Sequence, residues 1–287
     1  MPPRFRIIAH RGASAHAPEN TLASFERAIA LGAEELELDV RLSSDGEIVA
    51  FHDDRLDRKT GLDGRVRHYE ARLLERTDLL PWFLARERTE VEASLDDVLD
   101  AGDAAHAEGE TCIPRLATIF ERFGRRVRYH VEIKGWDDLL PLGVLRMIDA
   151  YDLRDHVTLT SFSQRPLVEV RKLDATLPIT FLLRDAADAL RSSEFRPELE
   201  GRTLQEIHAY WIEEAHRSGF DWVGVRAADL TPETVEFARK RGLEIRCWGI
   251  RTEDHLRSAV RLGAIGATVD WPGHARALVR DEFGIAP

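Results

Sequence analysis

Along the chain, short apolar runs alternate with stretches whose apolar residues recur every three or four positions. The short runs predict strands over Arg6–His10, Glu35–Val40, Glu47–His52, Arg128–Lys134, His156–Ser161, Ile179–Leu183, Asp221–Val225, Glu244–Gly249 and Ala267–Val269. Several are followed by a helical pattern, the rhythm of repeated β–α units around a parallel sheet. Nine candidates exceed by one the eight places of a (β/α)8 barrel, so one of them is expected to flank it. Helix ends are legible. Thr21 caps a predicted helix over Leu22–Leu31, with Leu22, Phe25 and Ile29 as its apolar stripe and Gly32 as its stop. Thr231-Pro232 starts another that Gly242 closes, and Thr252 starts a third that ends at Gly263.

Two stretches break this rhythm. Asp54–Thr111 is far longer than one crossover requires and predicts a small inserted cap, with Trp82 and Phe83 as candidate pocket walls. Asp185–Gly219 is shorter, and its Leu204, Ile207, Trp211, Ile212 and Ala215 read as an ordinary packed helix. The 287 residues are thus expected to form a single domain with 54–111 inserted.

Composition narrows the class of function. Forty Lys and Arg against 51 Asp and Glu leave a formal charge of −11, which argues against general nucleic-acid binding. Two cysteines, Cys112 and Cys247, offer no zinc-site spacing and suit a reducing compartment, so a cytoplasmic location is expected. No apolar stretch approaches the roughly 20 residues of a membrane span, and the apolar run near Met1 is too short for a signal peptide. No stable membrane insertion is expected. Nothing in the composition indicates an oligomeric state.

The strand Glu35-Leu36-Glu37-Leu38-Asp39-Val40 carries the sharpest chemical signal. Alternation puts Leu36, Leu38 and Val40 on one face and three carboxylates on the other. Strands buried in a parallel sheet are ordinarily apolar on both faces. In a barrel the acidic face points inward, where like charges need a cation or a cluster of basic side chains. The strand Arg128–Lys134 repeats the pattern, with His130, Glu132 and Lys134 opposite Val131 and Ile133. Glu37, Asp39 and Glu132 are three hard oxygen donors suited to Mg²⁺ or Ca²⁺. Lys134 is placed to hold an anion or to balance the carboxylates. His10 and His52 each end a strand, and strand C-termini carry the active sites of βα barrels. Such a pair suits general acid–base work. Arg11 offers a fork for phosphate oxygens, and Gly12 permits an unusual backbone.

His10-Arg11-Gly12, Pro18-Glu19-Asn20-Thr21, Ser24-Phe25, Gly32-Ala33, Glu37-Leu38-Asp39-Val40, Asp45-Gly46 and His52-Asp53 together resemble the glycerophosphodiester phosphodiesterase family. Ile113-Pro114-Arg115-Leu116, Glu132-Ile133-Lys134, Ser161-Phe162, Trp248 and Asp270-Trp271-Pro272 extend the likeness over nearly the whole chain. Asp100 to Ile113 resembles the end of the small insertion that the family carries. The resemblance implies a TIM barrel, one divalent cation, and hydrolysis of a glycerophosphodiester to sn-glycerol 3-phosphate and an alcohol, within glycerol and lipid metabolism. It implies Glu37, Asp39 and Glu132 as metal ligands, His10 and His52 as the acid–base pair, and Arg11 and Lys134 as phosphate contacts. Glu19 and Asn20 are given a helix-start role.

Two departures bear on the alcohol. Gly249 stands after Trp248 where Thr is frequent, and Arg115 stands in place of the usual Thr. Trp136 and Trp248 are candidates for the alcohol pocket, through packing or a cation over the ring face. The runner-up activity is that of a lysophospholipase D or a sphingomyelinase D-like enzyme on lipid phosphodiesters. From other classes come a catalytically silent phosphodiester-binding barrel and a metal-dependent lyase of sugar acids.

Overall fold

The computed structural model describes residues 4–95, 98, 109–135, 137–193 and 197–286, with only the backbone described for 190–193 and 197. Nine strands form the sheet: β1 Arg6–Ala9, β2 Glu35–Leu42, β3 Ile48–Ala50, β4 Arg128–Ile133, β5 Val157–Ser161, β6 Ile179–Leu182, β7 Trp222–Arg226, β8 Glu244–Ile250 and β9 Gly266–Val269. All neighbours are parallel except β2 and β3, and β1 pairs with both β9 and β2, which closes the sheet. The result is an eight-stranded TIM barrel with helices outside it.

The ninth strand is therefore β3. It lies antiparallel on β2, with Val40 opposite Ala50 and Leu42 opposite Ile48. Only Ser43–Glu47 separates the two. That length permits a hairpin and excludes a parallel crossover. His52 thus follows a hairpin arm, where the sequence pattern had placed it on a barrel strand. Arg41 on β2 fixes this arm by donating from Nε and Nη2 to the His52 carbonyl at 3.0 and 2.7 Å.

Alternation decides what fills the barrel. Leu36, Leu38, Val40, Val131 and Ile133 are buried against the helices, in one cluster with Phe25, Phe120 and Phe123. The carboxylates of β2 face the axis. The helix Leu22–Ala30 is held by Thr21, whose side chain accepts from the Ser24 N–H while Ser24 accepts from the Thr21 N–H. The expected helices after Thr231 and Thr252 run Pro232–Arg239 and Glu253–Arg261, and Leu204–Arg217 is indeed an ordinary packed helix.

Among its described residues, the segment after His52 forms a 3-10 turn at Val66–His68 and three short α-helices, Ala71–Leu74, Leu80–Ala85 and Glu90–Ala93. Leu56, Val66, Ala71, Leu74 and Leu79 bury themselves with Val49, Phe51 and Ile113 in a cluster separate from the barrel core. Asp100–Asp103 and Trp136 lie outside the described residues.

Candidate active site

β1 delivers the first part of the site. Beyond it the chain turns through Arg11 and Gly12 with positive φ values of 54° and 83°. A Cβ on Gly12 would also sit 2.5 Å from Ser24 Oγ, so conformation and space both require glycine there. Left-handed backbone at a bulky Arg is costly and persists only where its surroundings hold it. Here the Arg11 N–H donates to Glu37 Oε2 at 3.0 Å and the Arg11 carbonyl accepts from Ser24 Oγ at 2.8 Å.

The three predicted ligands converge. Glu37, Asp39 and Glu132 each offer a carboxylate oxygen within 4.8 Å of the others, and all three are buried. Asp39 sits opposite Glu132 in the β2–β4 register. Lys134 Nζ lies 2.5 Å from Glu132 Oε1 and 3.1 Å from Asp39 Oδ1, and Arg11 Nε lies 2.9 Å from Asp39 Oδ2. Asp39 Oδ1 nevertheless accepts no well-aligned hydrogen bond. Burial pushes Asp39 toward protonation, but Lys134 and Arg11 hold it well below the usual carboxylate range. Glu37 goes the other way: burial, then the Asp39 charge beside it, push it up to about 7. One carboxylate of the three is thus short of positive charge. An all-oxygen donor set with that deficit fits a hard divalent ion.

Each histidine has its own carboxylate. His10 Nδ1 lies 2.5 Å from Asp270 Oδ1, at the end of β9, and Ser14 Oγ donates to the same oxygen at 2.8 Å. His52 Nδ1 lies 2.7 Å from Asp53 Oδ1. The two imidazoles are displaced oppositely. For His10, burial and Arg11 favour the neutral ring, but Asp270 and Glu37 outweigh them and raise its proton affinity. For His52, burial outweighs Asp39 and Asp53 and lowers it.

His10, Arg11, Glu37, His52, Glu132 and Lys134 all line one cavity of about 400 Å³ at the strand C-termini, and Trp248 lines it too. Trp248 Nε1 donates to the Leu183 carbonyl at 3.2 Å, and its ring meets Phe162 edge-on at 5.0 Å. Gly249 has φ +68° at a register shift in β8, where Thr would be strained. Among the described residues, none of 54–111 lines this cavity. Phe83 is fully buried, and Trp82 lies under Lys59 and Arg58, so the expected pocket walls are not there.

Several groups escaped the sequence reading. Asn20, with φ 59°, does more than start a helix: its Nδ2 donates to Asp39 Oδ2 at 2.8 Å and its Oδ1 accepts from the Asp39 N–H at 3.1 Å. Glu19 holds the Arg11 guanidinium at 2.8 Å, and despite burial Arg11 and Lys59 draw it down to about 2. Arg246 lies inside the barrel, bonded to Thr268 and Thr160. Its signal was available, since the alternation that sends Ile245 and Cys247 outward sends Arg246 inward.

Fold and site together define a TIM barrel with a buried acidic triad and two carboxylate-tethered histidines at its mouth. The chain belongs to the glycerophosphoryl diester phosphodiesterase family, whose model matches residues 10–274. It is thereby an enzyme of a phosphoric diester hydrolase family. A glycerophosphodiester phosphodiesterase of Caldanaerobacter subterraneus is 27% identical over 279 residues, covering 96% of this chain and 97% of its own. Among solved structures, a putative glycerophosphoryl diester phosphodiesterase of Silicibacter pomeroyi shares the fold at TM-score 0.79 and 22% identity, over 100% of this chain and 96% of its own. A phosphodiesterase of Oleispira antarctica, in complex with the product sn-glycerol-3-phosphate, does so at TM-score 0.72 and 21% identity, over 96% and 97%.

Proposed function

We propose that this enzyme hydrolyses glycerophosphodiesters to sn-glycerol 3-phosphate and an alcohol, with one Mg²⁺ or Ca²⁺ held by Glu37, Asp39 and Glu132 and with His10 and His52 as its acid–base pair. The observation that carries this reading is the pair of imidazoles, each tethered at Nδ1 to a carboxylate, on a cavity that also holds Arg11 and Lys134. The product bound by the Oleispira phosphodiesterase supports the same choice of substrate.

The bound ion would polarise a phosphoryl oxygen. The chain does the rest. Arg11 and Lys134 offset the charge of the diester, which otherwise repels a nucleophile. With Nδ1 engaged, each imidazole keeps Nε2 for proton transfer. Their opposite displacements suit His52 to the role of base and His10 to that of acid. His52 then takes the proton of the glycerol 2-hydroxyl as its oxygen bonds to phosphorus. The bond from phosphorus to the alcohol breaks, and His10 protonates the departing oxygen. Proximity favours this internal nucleophile. Water then opens the resulting cyclic phosphate: His10 takes a proton from the water as its oxygen bonds to phosphorus, the bond from phosphorus to the glycerol 2-oxygen breaks, and His52 returns a proton to that oxygen. Trp248 and Phe162 border the alcohol.

The test is a panel of glycerophosphodiesters and lysophospholipids with Mg²⁺, Ca²⁺ or Mn²⁺, following release of sn-glycerol 3-phosphate or its acyl derivative. Turnover of glycerophosphodiesters is expected, and preference for lysophospholipids would favour the lipid reading. A substrate lacking the 2-hydroxyl should be inert; hydrolysis at the parent rate would make water the nucleophile.

A further inference from the structure

The insertion supplies no described wall to the catalytic cavity, yet one of its side chains reaches the catalytic network from behind. Lys59 sits in a turn whose N–H donates to the Leu56 carbonyl at 3.2 Å, and its side chain is fully buried. Its Nζ lies 2.5 Å from Glu19 Oε1 and 3.5 Å from Asp53 Oδ1. Each of these oxygens has a second partner in the site. Glu19 Oε1 accepts from the Arg11 guanidinium at 2.8 Å, and Asp53 Oδ1 meets His52 Nδ1 at 2.7 Å. The rings of Phe51 and Trp82 stand 5.2 and 5.0 Å from the ammonium and exclude water around it. Arg58 also holds Asp53, but from a solvent-exposed position.

A buried ammonium is costly unless it is paired. Here the two carboxylates that pair it are the ones that contact the Arg11 guanidinium and the His52 imidazole. We infer that Lys59 is a positioning residue for the hydrolysis. It ties Glu19 to Asp53 and so holds Arg11 and His52 in one mutual geometry. The insertion acts on catalysis through this side chain, which itself touches no substrate. The inference rests on the hydrolase reading above. A purely structural lysine would only neutralise two carboxylates and pin the insertion down.

Lys59→Met, Lys59→Gln and Lys59→Arg separate the two roles, with glycerophosphocholine as substrate and kcat normalised to the fraction folded by circular dichroism. Lys59→Met and Lys59→Gln should each lose about 10–100-fold in kcat, the scale on which small misplacements or lost supporting contacts act. Lys59→Arg should recover part of that loss. In an Asp53→Asn background the Lys59→Gln change should cost much less than in the wild type, because the two act on one imidazole. Wild-type kcat in whichever neutral variant folds, with only a lowered Tm, overturns the inference. So does strict additivity with Asp53→Asn. Should the wild type release no sn-glycerol 3-phosphate, the hydrolase reading falls and this inference with it.

Discussion

Glu35 and Glu37 stand two residues apart on one face of one strand, and they behave oppositely. Glu35 lies toward the closed end of the barrel. It meets His130 Nε2 at 2.8 Å and Arg6 at 3.2 Å, and Arg6 in turn stacks over Trp222 at 4.9 Å. Burial works against its charge, but His130 and Arg6 overcome it and hold its carboxyl below the usual range. Glu37 lies toward the open end, beside Asp39 and Glu132, and is pushed up to about 7. The same residue type at the same depth of burial is thus settled at one end and short of a cation at the other. A settled carboxylate serves the fold; an unsettled one leaves a site able to take up positive charge.

The largest expected effect comes from sharpening that contrast at the open end. Glu37→Gln should abolish divalent-ion binding by calorimetry and lower turnover by about 10³-fold or more, since Lewis-acid stabilisation is worth several kcal/mol. Chelation of the wild type should do the same, reversibly. Full activity in metal-free enzyme would break the comparison. Next come His10→Ala and His52→Ala, each costing about 10²–10⁴-fold in kcat, the range for a positioned acid or base.

Asp270→Asn should act more mildly and through pH. Asp270 raises the proton affinity of His10, so its removal lowers that affinity. The limb of the kcat/KM profile governed by His10 should move to lower pH, with a loss of about 10-fold or more in rate. An unmoved limb would detach Asp270 from His10.

What could be read from the chain alone follows from how the groups are attached. Glu37, Asp39 and Glu132 ride on strands, where a period of two states which side faces the axis, and Lys134 directly follows β4. β3 is the odd strand for a reason equally local: the five residues from Ser43 to Glu47 fall short of the dozen that a parallel crossover needs. The supporting groups were hidden because nothing local ties them to their partners. Asp270 is 260 positions from His10, and Lys59 is 40 from Glu19. Asn20 was masked by a helix-start pattern that is itself genuine. Trp82 and Phe83 misled because an aromatic pair in an insertion packs under that insertion's own cations, Lys59 and Arg58 over Trp82 and Arg86 and Arg88 over Phe83, as readily as it walls a pocket.

The smallest effect on activity is expected at the closed end. Glu35→Gln leaves the buried His130 and the half-buried Arg6 without their carboxylate, and breaking the buried pair with His130 costs about 1–3 kcal/mol. Urea unfolding at pH 7 should report that loss, while kcat stays near the wild-type value because no reacting group is touched. The sign with pH is also set. The folded-state affinity of Glu35 lies below its unfolded value of 4.5, so its contribution is complete above that value and fades as the pH falls through the lower, folded one. The stability gap between wild type and Glu35→Gln should therefore narrow in acid. A gap that widens on acidification, or a kcat that falls as far as in Glu37→Gln, would show that the two ends of the barrel are not separate in the way their carboxylates indicate.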